Sequence, residues 1–289
     1  LMRDSYQGYR LLLVHAHPDD ETINNGVTMA LYAALGASIS LVTCTRGEEG
    51  EVLIPELQHL IASQTDTLGS HRVQELQNAM KELGVRDHRF LGEGKIIYRD
   101  SGMTGSETNK NAGVFYQADV EIASNYLVEV IEEIKPHVLV TYDEFGGYGH
   151  PDHIQTHRVA MRASEKSQWQ IPKIYWNVIP RSVIQAGIDA LRKVGSDFMG
   201  VERAEDLPFT KADSFVDAVI NGSDFVEHKK RAMLAHATQI AVDGPFFALS
   251  DNIGLEVLGI EHYTLIKGQK TAPFDERGRE TDLFAGITP

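Results

Sequence analysis

Short apolar runs alternate with helical periodicity through the first 180 residues of this chain. Two runs, 11–14 (Leu-Leu-Leu-Val) and 138–142 (Val-Leu-Val-Thr-Tyr), are bounded by polar or turn residues. Runs of this length and composition are typical of parallel strands buried on both faces. Between them, apolar residues recur every three or four positions, as on the buried side of an amphipathic helix. The pattern predicts an α/β fold with a mostly parallel sheet flanked by helices.

The same pattern gives approximate bounds for each element. Strands are predicted at residues 10–16, 38–43, 88–91, 137–142 and 172–179. Helices are predicted at residues 21–35, 65–83, 119–135 and 152–164. Beyond residue 180 the rhythm weakens, and we expect strands near 213–220 and 260–266 with a helix over 223–237. Because no linker separates two units, we expect one domain over 1–289, with an α/β core at about 9–180 and a smaller C-terminal lobe at about 181–289.

Two polar clusters follow two of these predicted strands. The first contains His17, Asp19 and Asp20, and the second contains His150 and His153. Ligands of open α/β sheets bind outside the carboxyl ends of the strands, so the clusters could form halves of one metal site. Residues two or three apart in a tight turn can point inward together, which favours His17 and Asp20 as ligands and leaves Asp19 off the metal. Either His150 or His153 could complete the set. The alternative is a set of capping side chains without a metal.

A metal with a free carboxylate beside it indicates hydrolysis. Such an ion acidifies water and polarises a carbonyl, while Asp19 could accept the proton. A histidine could stabilise the oxyanion or protonate the leaving amine, and Asp152 could orient His150. Tyr148 lies in a glycine-rich loop from which its phenol could reach a substrate carbonyl. His15 alternates with His17 along the strand, so we expect it to be a core histidine.

The polar segment 92–113 has no clear periodicity. A loop of this length is either filler or a substrate lid, and the sequence 99–102 (Arg-Asp-Ser-Gly) within it favours a lid.

Composition narrows the class of protein. The formal charge of −14 argues against a general nucleic-acid binder, which needs a basic face. Cys44 is the single cysteine, and its apolar run predicts a buried thiol. We expect a cytoplasmic protein, because no run approaches the ~18–20 apolar residues of a membrane span and the N-terminal residues lack a signal-peptide pattern. Neither the Gly-x-Ser-x-Gly elbow nor a dinucleotide-binding Gly-x-Gly-x-x-Gly is present in the expected place.

At this point the motifs resemble a known family. Residues 16–21 (Ala-His-Pro-Asp-Asp-Glu) and 149–153 (Gly-His-Pro-Asp-His) resemble the paired signatures of the PIG-L/LmbE-like zinc N-deacetylases. Further segments resemble the mycothiol-pathway members of actinobacteria, and they lie at 45–51, 100–103, 235–239 and 275–278. The resemblance extends from about residue 10 to 286. It implies a Rossmann-like fold, one zinc or ferrous ion per subunit, and removal of the N-acetyl group from a glucosamine linked to inositol. The oligomeric state stays open.

The resemblance also implies a role for each site residue. It makes His17, Asp20 and His153 the zinc ligands and Asp19 the general base. His150 would act on the oxyanion or as general acid, oriented by Asp152 and assisted by Tyr148. Three further residues would hold the sugar and inositol hydroxyls, namely Arg72, Asp100 and Glu51.

Two alternative functions remain at this stage. A mycothiol S-conjugate amidase would use the same metal chemistry on a larger thioether substrate. That subfamily resembles this chain less at 100–103 and in the C-terminal region, and it tends to carry a lysine where this chain has Thr-Ile-Asn-Asn at 22–25. The other alternative is a non-catalytic sugar- or nucleotide-binding domain.

Overall fold

The computed structural model describes residues 3–241 and 258–289, in which the strands form a seven-stranded sheet. In chain order the strands are β1 (Arg10–His15), β2 (Ser38–Thr43), β3 (Asp87–Phe90), β4 (Val138–Thr141), β5 (Lys173–Val178), β6 (Ala218–Asn221) and β7 (Ile260–Lys267). The helices are α1 (Asp20–Ala34), α2 (Leu68–Leu83), α3 (Val120–Ile134), α4 (Pro151–Lys166), α5 (Arg181–Lys193) and α6 (Val226–Ala235).

The strand order creates a crevice at the carboxyl end of β1. The strands stand in the order β3-β2-β1-β4-β5-β7-β6, and the first five run parallel. The chain proceeds from β1 to β2 and β3 on one side, then returns to place β4 and β5 on the other. Such a reversal separates the loops that follow β1 and β4, and ligands of doubly wound sheets bind there. The predicted mostly parallel α/β fold is confirmed.

Helices cover both faces of the sheet because β1 is apolar on both sides. Leu11 and Leu13 belong to a core shared with α1, α2 and α6. Leu12 and Val14 point to the opposite face and belong to a core shared with α3 and α4. All four side chains are fully buried, and each such burial stabilises the fold by about 1.5–3 kcal/mol. Cys44 lies in the second core, where burial raises the pKa of its thiol to about 12, so the predicted buried thiol is confirmed.

The region after residue 180 does not remain outside the sheet. β7 pairs antiparallel with β5, and β6 pairs antiparallel with β7, so both strands complete the central sheet. The segment around α5 has a small core of its own, formed by Ile184, Ile188 and Leu191 with Phe198 and Leu207. The boundary drawn near residue 180 therefore does not coincide with a break in the sheet.

Several element bounds differ from the sequence-based expectation. α5 was not predicted, although its apolar residues recur at helical spacing. The strand expected from residue 213 begins only at Ala218, after a single 3-10 turn at Asp213–Phe215. Another 3-10 turn, Ser223–Phe225, precedes α6, which therefore begins later than expected.

α1 contains a kink that the sequence did not predict. Asn25 has φ −135° and ψ 15°, outside the helical region. Its side chain contacts His15, Asn177 and Tyr263, and the N–H groups of residues 27 and 28 donate to Glu261. A buried polar network thus replaces the helical hydrogen bonds lost at the kink.

No helix in the described residues is both long and apolar enough to cross a membrane.

Candidate metal centre and active site

The first polar cluster occupies the turn between β1 and α1. His17 is buried, while Asp19 and Asp20 are partly buried at the start of the helix. Asp20 Oδ2 accepts a hydrogen bond from the His17 N–H at 3.2 Å and one from the Tyr142 hydroxyl at 2.7 Å. These bonds orient the Asp20 carboxylate toward the crevice beside β4.

The second cluster lies at the start of α4. His150 is the N-terminal cap of this helix, because its Nδ1 accepts the backbone N–H of Asp152 at 3.1 Å. His153 is one turn further along and is 3% exposed. Pro151 is the first residue of the helix, a position that needs no N–H donor. The cap and the proline fix where the helix begins and so direct both imidazoles into the crevice.

Donor atoms from both clusters meet at the Asp20 carboxylate, and this place is called the convergence point below. Asp20 Oδ2 lies 3.6 Å from His17 Nδ1 and 3.2 Å from His153 Nε2. Ligands of a tetrahedral zinc ion stand about 3.3 Å apart, given bonds of about 2.0–2.1 Å. His153 Nε2 is buried and makes no hydrogen bond of acceptable geometry within the described part of the chain. An orphaned imidazole nitrogen facing a carboxylate at ligand spacing fits a divalent metal.

Hydrogen bonds on the far side of each imidazole fix which nitrogen faces that point. His153 Nδ1 lies 3.0 Å from the Gly146 carbonyl oxygen, and His17 Nε2 lies 2.9 Å from Asp152 Oδ2. Both partners are acceptors, so we assign the protons to these nitrogens. The lone pairs of the other nitrogens then face Asp20. This arrangement is typical of histidines that bind metals.

The structure places the Asp152 carboxylate differently from the sequence-based expectation. It contacts His17 and accepts bonds from the Ser101 N–H at 2.9 Å and hydroxyl at 2.5 Å. The carboxylate does not hydrogen-bond to the His150 ring, although the sequence predicted that it would orient this ring. The reason is the helix cap: the backbone of Asp152 occupies His150 Nδ1, and its side chain points into the crevice.

His150 also lies close to the convergence point. Donor atoms of His17, His150 and His153 lie within 4.8 Å of one another. Burial, together with His17 and His153, lowers the pKa of His150 to about 3, so its imidazole is neutral near pH 7.

Tyr148 lies over His150 and His153 at the mouth of the crevice. Its ring centroid is 5.1 Å from that of His153 and 6.3 Å from that of His150. It is 39% exposed, and burial raises the pKa of its phenol, which therefore keeps its proton near pH 7. A protonated phenol can donate to an oxygen atom in the crevice.

The Asp19 carboxylate pairs with Arg72. Its Oδ2 lies 3.4 Å from Arg72 Nη2. Its φ of 135° lies where L residues are rare, a strain of order 1–3 kcal/mol that persists only when neighbours hold it. Burial raises the pKa of Asp19 to about 6, an effect that Arg72 opposes and Asp20 strengthens.

The residues predicted to bind the substrate differ in how deeply they are buried. Arg72 is 3% exposed and donates to the carbonyl oxygens of Pro18 at 2.5 Å and Gly47 at 2.8 Å. Asp100 is also buried, with Oδ1 3.4 Å from His17 Nε2. Glu51 is exposed in a separate depression, so the structure does not bring it to the donor atoms.

Segment 92–113 carries Asp100 and Ser101 into the crevice and contains no helix or strand other than one 3-10 turn. Thr104 Oγ1 donates to the Gly149 carbonyl oxygen at 2.7 Å, which joins this segment to the loop that carries Tyr148. The expected motion of a lid stays a prediction.

A cavity of about 490 Å³ adjoins the convergence point. Its polar wall includes Asp19, Asp20 and His153, while residues 199–211 supply part of its apolar wall, including Phe209. The sequence did not predict a functional role for this segment.

Sequence reasoning also missed several buried residues that support the site. The Tyr142 hydroxyl accepts the Ala16 N–H at 3.0 Å, and its ring stacks on His153 with centroids 4.3 Å apart. His15 was expected to be a core histidine, which is confirmed: it is fully buried between Tyr142 and Asn25.

Glu21 and His236 form a buried ion pair behind Asp19. Burial alone would raise the pKa of Glu21, but His236 holds it below its ordinary value. Burial would likewise lower the pKa of His236, but Glu21 raises it. Both residues lie in segments that resemble the family, and the sequence predicted a role for neither of them.

The chain is similar to several known proteins. Residues 12–164 match the family model described as "PIG-L: GlcNAc-PI de-N-acetylase". The chain is 53% identical over 292 residues to the 1D-myo-inositol 2-acetamido-2-deoxy-alpha-D-glucopyranoside deacetylase of Geodermatophilus obscurus, covering 96% of this chain and 98% of that one. It is 52% identical over 293 residues to the protein of the same name from Streptomyces avermitilis, covering 97% and 98%.

A solved structure has the same fold at low sequence identity. The N,N'-diacetylchitobiose deacetylase from Pyrococcus horikoshii matches with a TM-score of 0.55 and 18% identity, over 90% of this chain and 84% of that chain. The family match spans more than half of the chain, and the two relatives cover nearly all of it. This chain belongs to the PIG-L family of GlcNAc-PI de-N-acetylases.

Proposed function

We propose that this protein hydrolyses the acetamide of 1D-myo-inosityl 2-acetamido-2-deoxy-α-D-glucopyranoside, giving acetate and the free amine for mycothiol biosynthesis. The observation that carries the proposal is the convergence of His17, Asp20 and His153 beside a carboxylate that is off that point. Relatives that cover nearly the whole chain are named for this activity. No observation favours the conjugate amidase or a non-catalytic domain.

The proposed metal ligands are His17 Nδ1, one Asp20 oxygen and His153 Nε2. A zinc or ferrous ion held there would acidify a water molecule and polarise the acetamide carbonyl. Two histidines and one carboxylate suit either ion, and metal availability helps decide between them. Asp152 acts on this centre through His17, because a carboxylate bonded to Nε2 fixes the ring and raises the basicity of Nδ1.

Asp19 is the proposed general base. A base works best when its pKa lies near the working pH, and burial brings the pKa of Asp19 to about 6. Its carboxylate lies beside the donor atoms but is held by Arg72 rather than by the metal ligands. It can therefore accept the proton of the attacking water and later deliver it to the departing amine.

His150 is better suited to stabilise the oxyanion than to act as the general acid. Its Nδ1 accepts the N–H of Asp152, so the single proton of the neutral ring sits on Nε2. An Nε2–H group can donate to the oxygen that gains charge as water attacks the carbonyl. The Tyr148 phenol keeps its proton and can donate to the same oxygen.

Arg72 and Asp100 are proposed to bind the sugar part of the substrate. Both are charged, buried and within reach of the crevice, and they can bond hydroxyl groups as donor and acceptor. Glu51, exposed on the neighbouring loop, stays a prediction for the inositol end. A cytoplasmic location also stays a prediction.

The direct test measures acetate release from the inosityl N-acetylglucosaminide, with a mycothiol S-conjugate as the rival substrate and metal-stripped enzyme as the control. We expect rapid, metal-dependent turnover of the first substrate and little turnover of the second. The reverse preference would make the protein a conjugate amidase, and sugar binding without acetate release would indicate a binding domain.

The metal assignment has its own test. His153→Ala removes a ligand, so we expect metal content well below about one ion per chain after dialysis. His157→Ala, on the same helix, removes a histidine that donates only to the Tyr142 carbonyl and should retain its metal. A full equivalent of metal in His153→Ala contradicts the ligand assignment.

A further inference from the structure

We propose that Glu21 and His236 are positioning residues that hold Asp19 in the backbone conformation needed for its role as base. The inference rests on the proposed function, because it concerns the same reaction. It begins from the unusual turn at Asp19, where φ is 135° and ψ is −35°. A side chain at such a position needs neighbours that hold the backbone in place.

Glu21 supplies the bond that holds this turn. Its Oε2 accepts the Asp19 N–H at 2.8 Å, although Glu21 follows Asp19 by only two residues. A carboxylate that bonds back across the turn fixes the peptide plane between Pro18 and Asp19. That plane sets the direction of the Asp19 side chain, which reaches Arg72.

His236 fixes Glu21 in turn. Both side chains are fully buried, and His236 Nε2 lies 2.7 Å from Glu21 Oε1. The two residues are 215 positions apart in the chain. A buried carboxylate needs a cationic or donor partner, and besides His236 the Oε1 atom accepts only the Thr22 hydroxyl at 3.2 Å within the described residues. Without His236, turning toward water or taking up a proton would lower the free energy of the Glu21 side chain.

The backbone of His236 is itself held by a turn. His236 ends α6, and the N–H groups of Gln239 and Ile240 donate to its carbonyl oxygen at 3.0 Å. Glu75 on α2 accepts the Thr238 N–H at 2.8 Å and its hydroxyl at 2.5 Å. Contacts therefore run without a break from α2 and α6 through His236 and Glu21 to Asp19.

This geometry separates positioning from metal binding. Neither Glu21 nor His236 contacts His17, Asp20 or His153 through a hydrogen bond between side chains in the described residues. Removing the pair should therefore misplace the base and leave the metal ligands in place. A misplacement of about 1 Å lowers the rate by about 10²-fold, so we expect kcat rather than KM to change.

The test compares truncations with conservative replacements in metal-loaded enzyme. We expect Glu21→Ala and His236→Ala to lower kcat by about 10²-fold, with KM changed by less than about threefold and the metal retained. Glu21→Gln and His236→Gln should recover a large part of kcat, because an amide can accept the Asp19 N–H or donate to Glu21. Asp282→Ala is the control: it removes a buried carboxylate that accepts from the Tyr6 and Tyr32 hydroxyls and does not contact Asp19, and its kcat should stay within about threefold of wild type.

Crystal structures of metal-loaded wild type and Glu21→Ala give a readout that does not depend on the substrate. We expect Asp19 to leave its positive φ in the variant while the three metal ligands stay in place. The proposal is overturned if Asp19 is unmoved, if metal is lost in proportion to activity, or if Asp282→Ala loses as much kcat as Glu21→Ala. Should Glu21→Ala not fold, the ratio of His236→Gln to His236→Ala decides. Inactive wild-type enzyme would contradict the proposed function, whereas the comparison of the two crystal structures would still test the positioning.

Discussion

At the scale of single residues, Asp19 and Asp20 are neighbours with different surroundings. Asp20 faces two imidazole nitrogens, whereas Asp19 faces a guanidinium group. Adjacent carboxylates can hold separate roles when the backbone turns sharply between them, and the positive φ of Asp19 provides that turn.

We expect Asp19→Asn to lower kcat by about 10²–10⁴-fold, because an amide cannot accept a proton from water. Metal content should remain near that of wild type, since Asp19 does not face the other donors. Metal analysis and steady-state kinetics on one preparation check both statements. Turnover at the wild-type rate would contradict the assignment of Asp19 as base.

The pH dependence of kcat/KM should follow Asp19. Burial raises the pKa of this carboxyl to about 6, and the base acts only when it is ionised. Activity should therefore be present above about pH 6 and fall as the pH drops through that value. Arg72 opposes the rise in the pKa of Asp19, so Arg72→Met should move the acid limb to higher pH as well as weaken substrate binding.

The control for this shift is Arg99→Met, because Arg99 pairs with Glu49 and Asp66 and not with Asp19. An acid limb that is unchanged in Arg72→Met would separate that limb from Asp19.

At the scale of elements, the sequence predicted the positions of the site residues better than their partners. Each polar cluster follows a long apolar run, so both clusters could be assigned to strand ends and hence to one crevice. The partner of the Asp152 carboxylate could not be read in this way. A helix cap decides whether a side chain points along the helix or into the crevice, and the cap depends on the fold of the preceding loop.

The unpredicted α5 and the kink in α1 have related causes. The apolar residues of α5 recur at helical spacing but cover only a small core apart from the central sheet, so they do not continue the α/β rhythm of the first 180 residues. The kink at Asn25 depends on Glu261 and Tyr263 of β7, more than 230 positions away. Pairings over such distances leave no local pattern in the sequence.

The kink should make α1 sensitive to the buried pair formed by Lys229 and Glu261. Their Nζ and Oε2 atoms lie 2.9 Å apart, and both residues are almost fully buried. Lys229→Met leaves Glu261 without its cation, so we expect the free energy of unfolding to fall by about 3–5 kcal/mol. Urea denaturation followed by circular dichroism measures the change.

Lys230→Met is the matched control, because its pair with Glu227 lies at the surface and should cost no more than about 1 kcal/mol. Equal losses in the two variants would contradict the importance assigned to the buried pair.

At the scale of the whole molecule, the two ends of the described chain meet at the amino end of β1, opposite the active site. Asp282 accepts hydrogen bonds from the hydroxyls of Tyr6 at 2.7 Å and Tyr32 at 2.9 Å. Phe284 packs on both rings, with centroids 5.7 and 5.0 Å away. The last residues thus close the core under β1.

We expect Asp282→Ala to lower the free energy of unfolding by about 3 kcal/mol, because it leaves two buried hydroxyls without their acceptor. Its kcat and metal content should match those of wild type, since Asp282 contacts none of the site residues. Thermal unfolding and kinetics together check the separation. A loss of kcat in folded Asp282→Ala would show that the two ends of the sheet are coupled.

The arrangement of the sheet has one more consequence. Both outermost strands, β3 and β6, are only four residues long. β3 carries Asp87 and Arg89, and the backbone of Glu280 bonds along the outer side of β6. Exposed strand edges recruit other chains into intermolecular sheets, whereas short, charged or covered edges resist it. The fold that opens a crevice at one end of its strands therefore also blocks the lateral growth of the sheet, which protects the protein against aggregation through its strand edges.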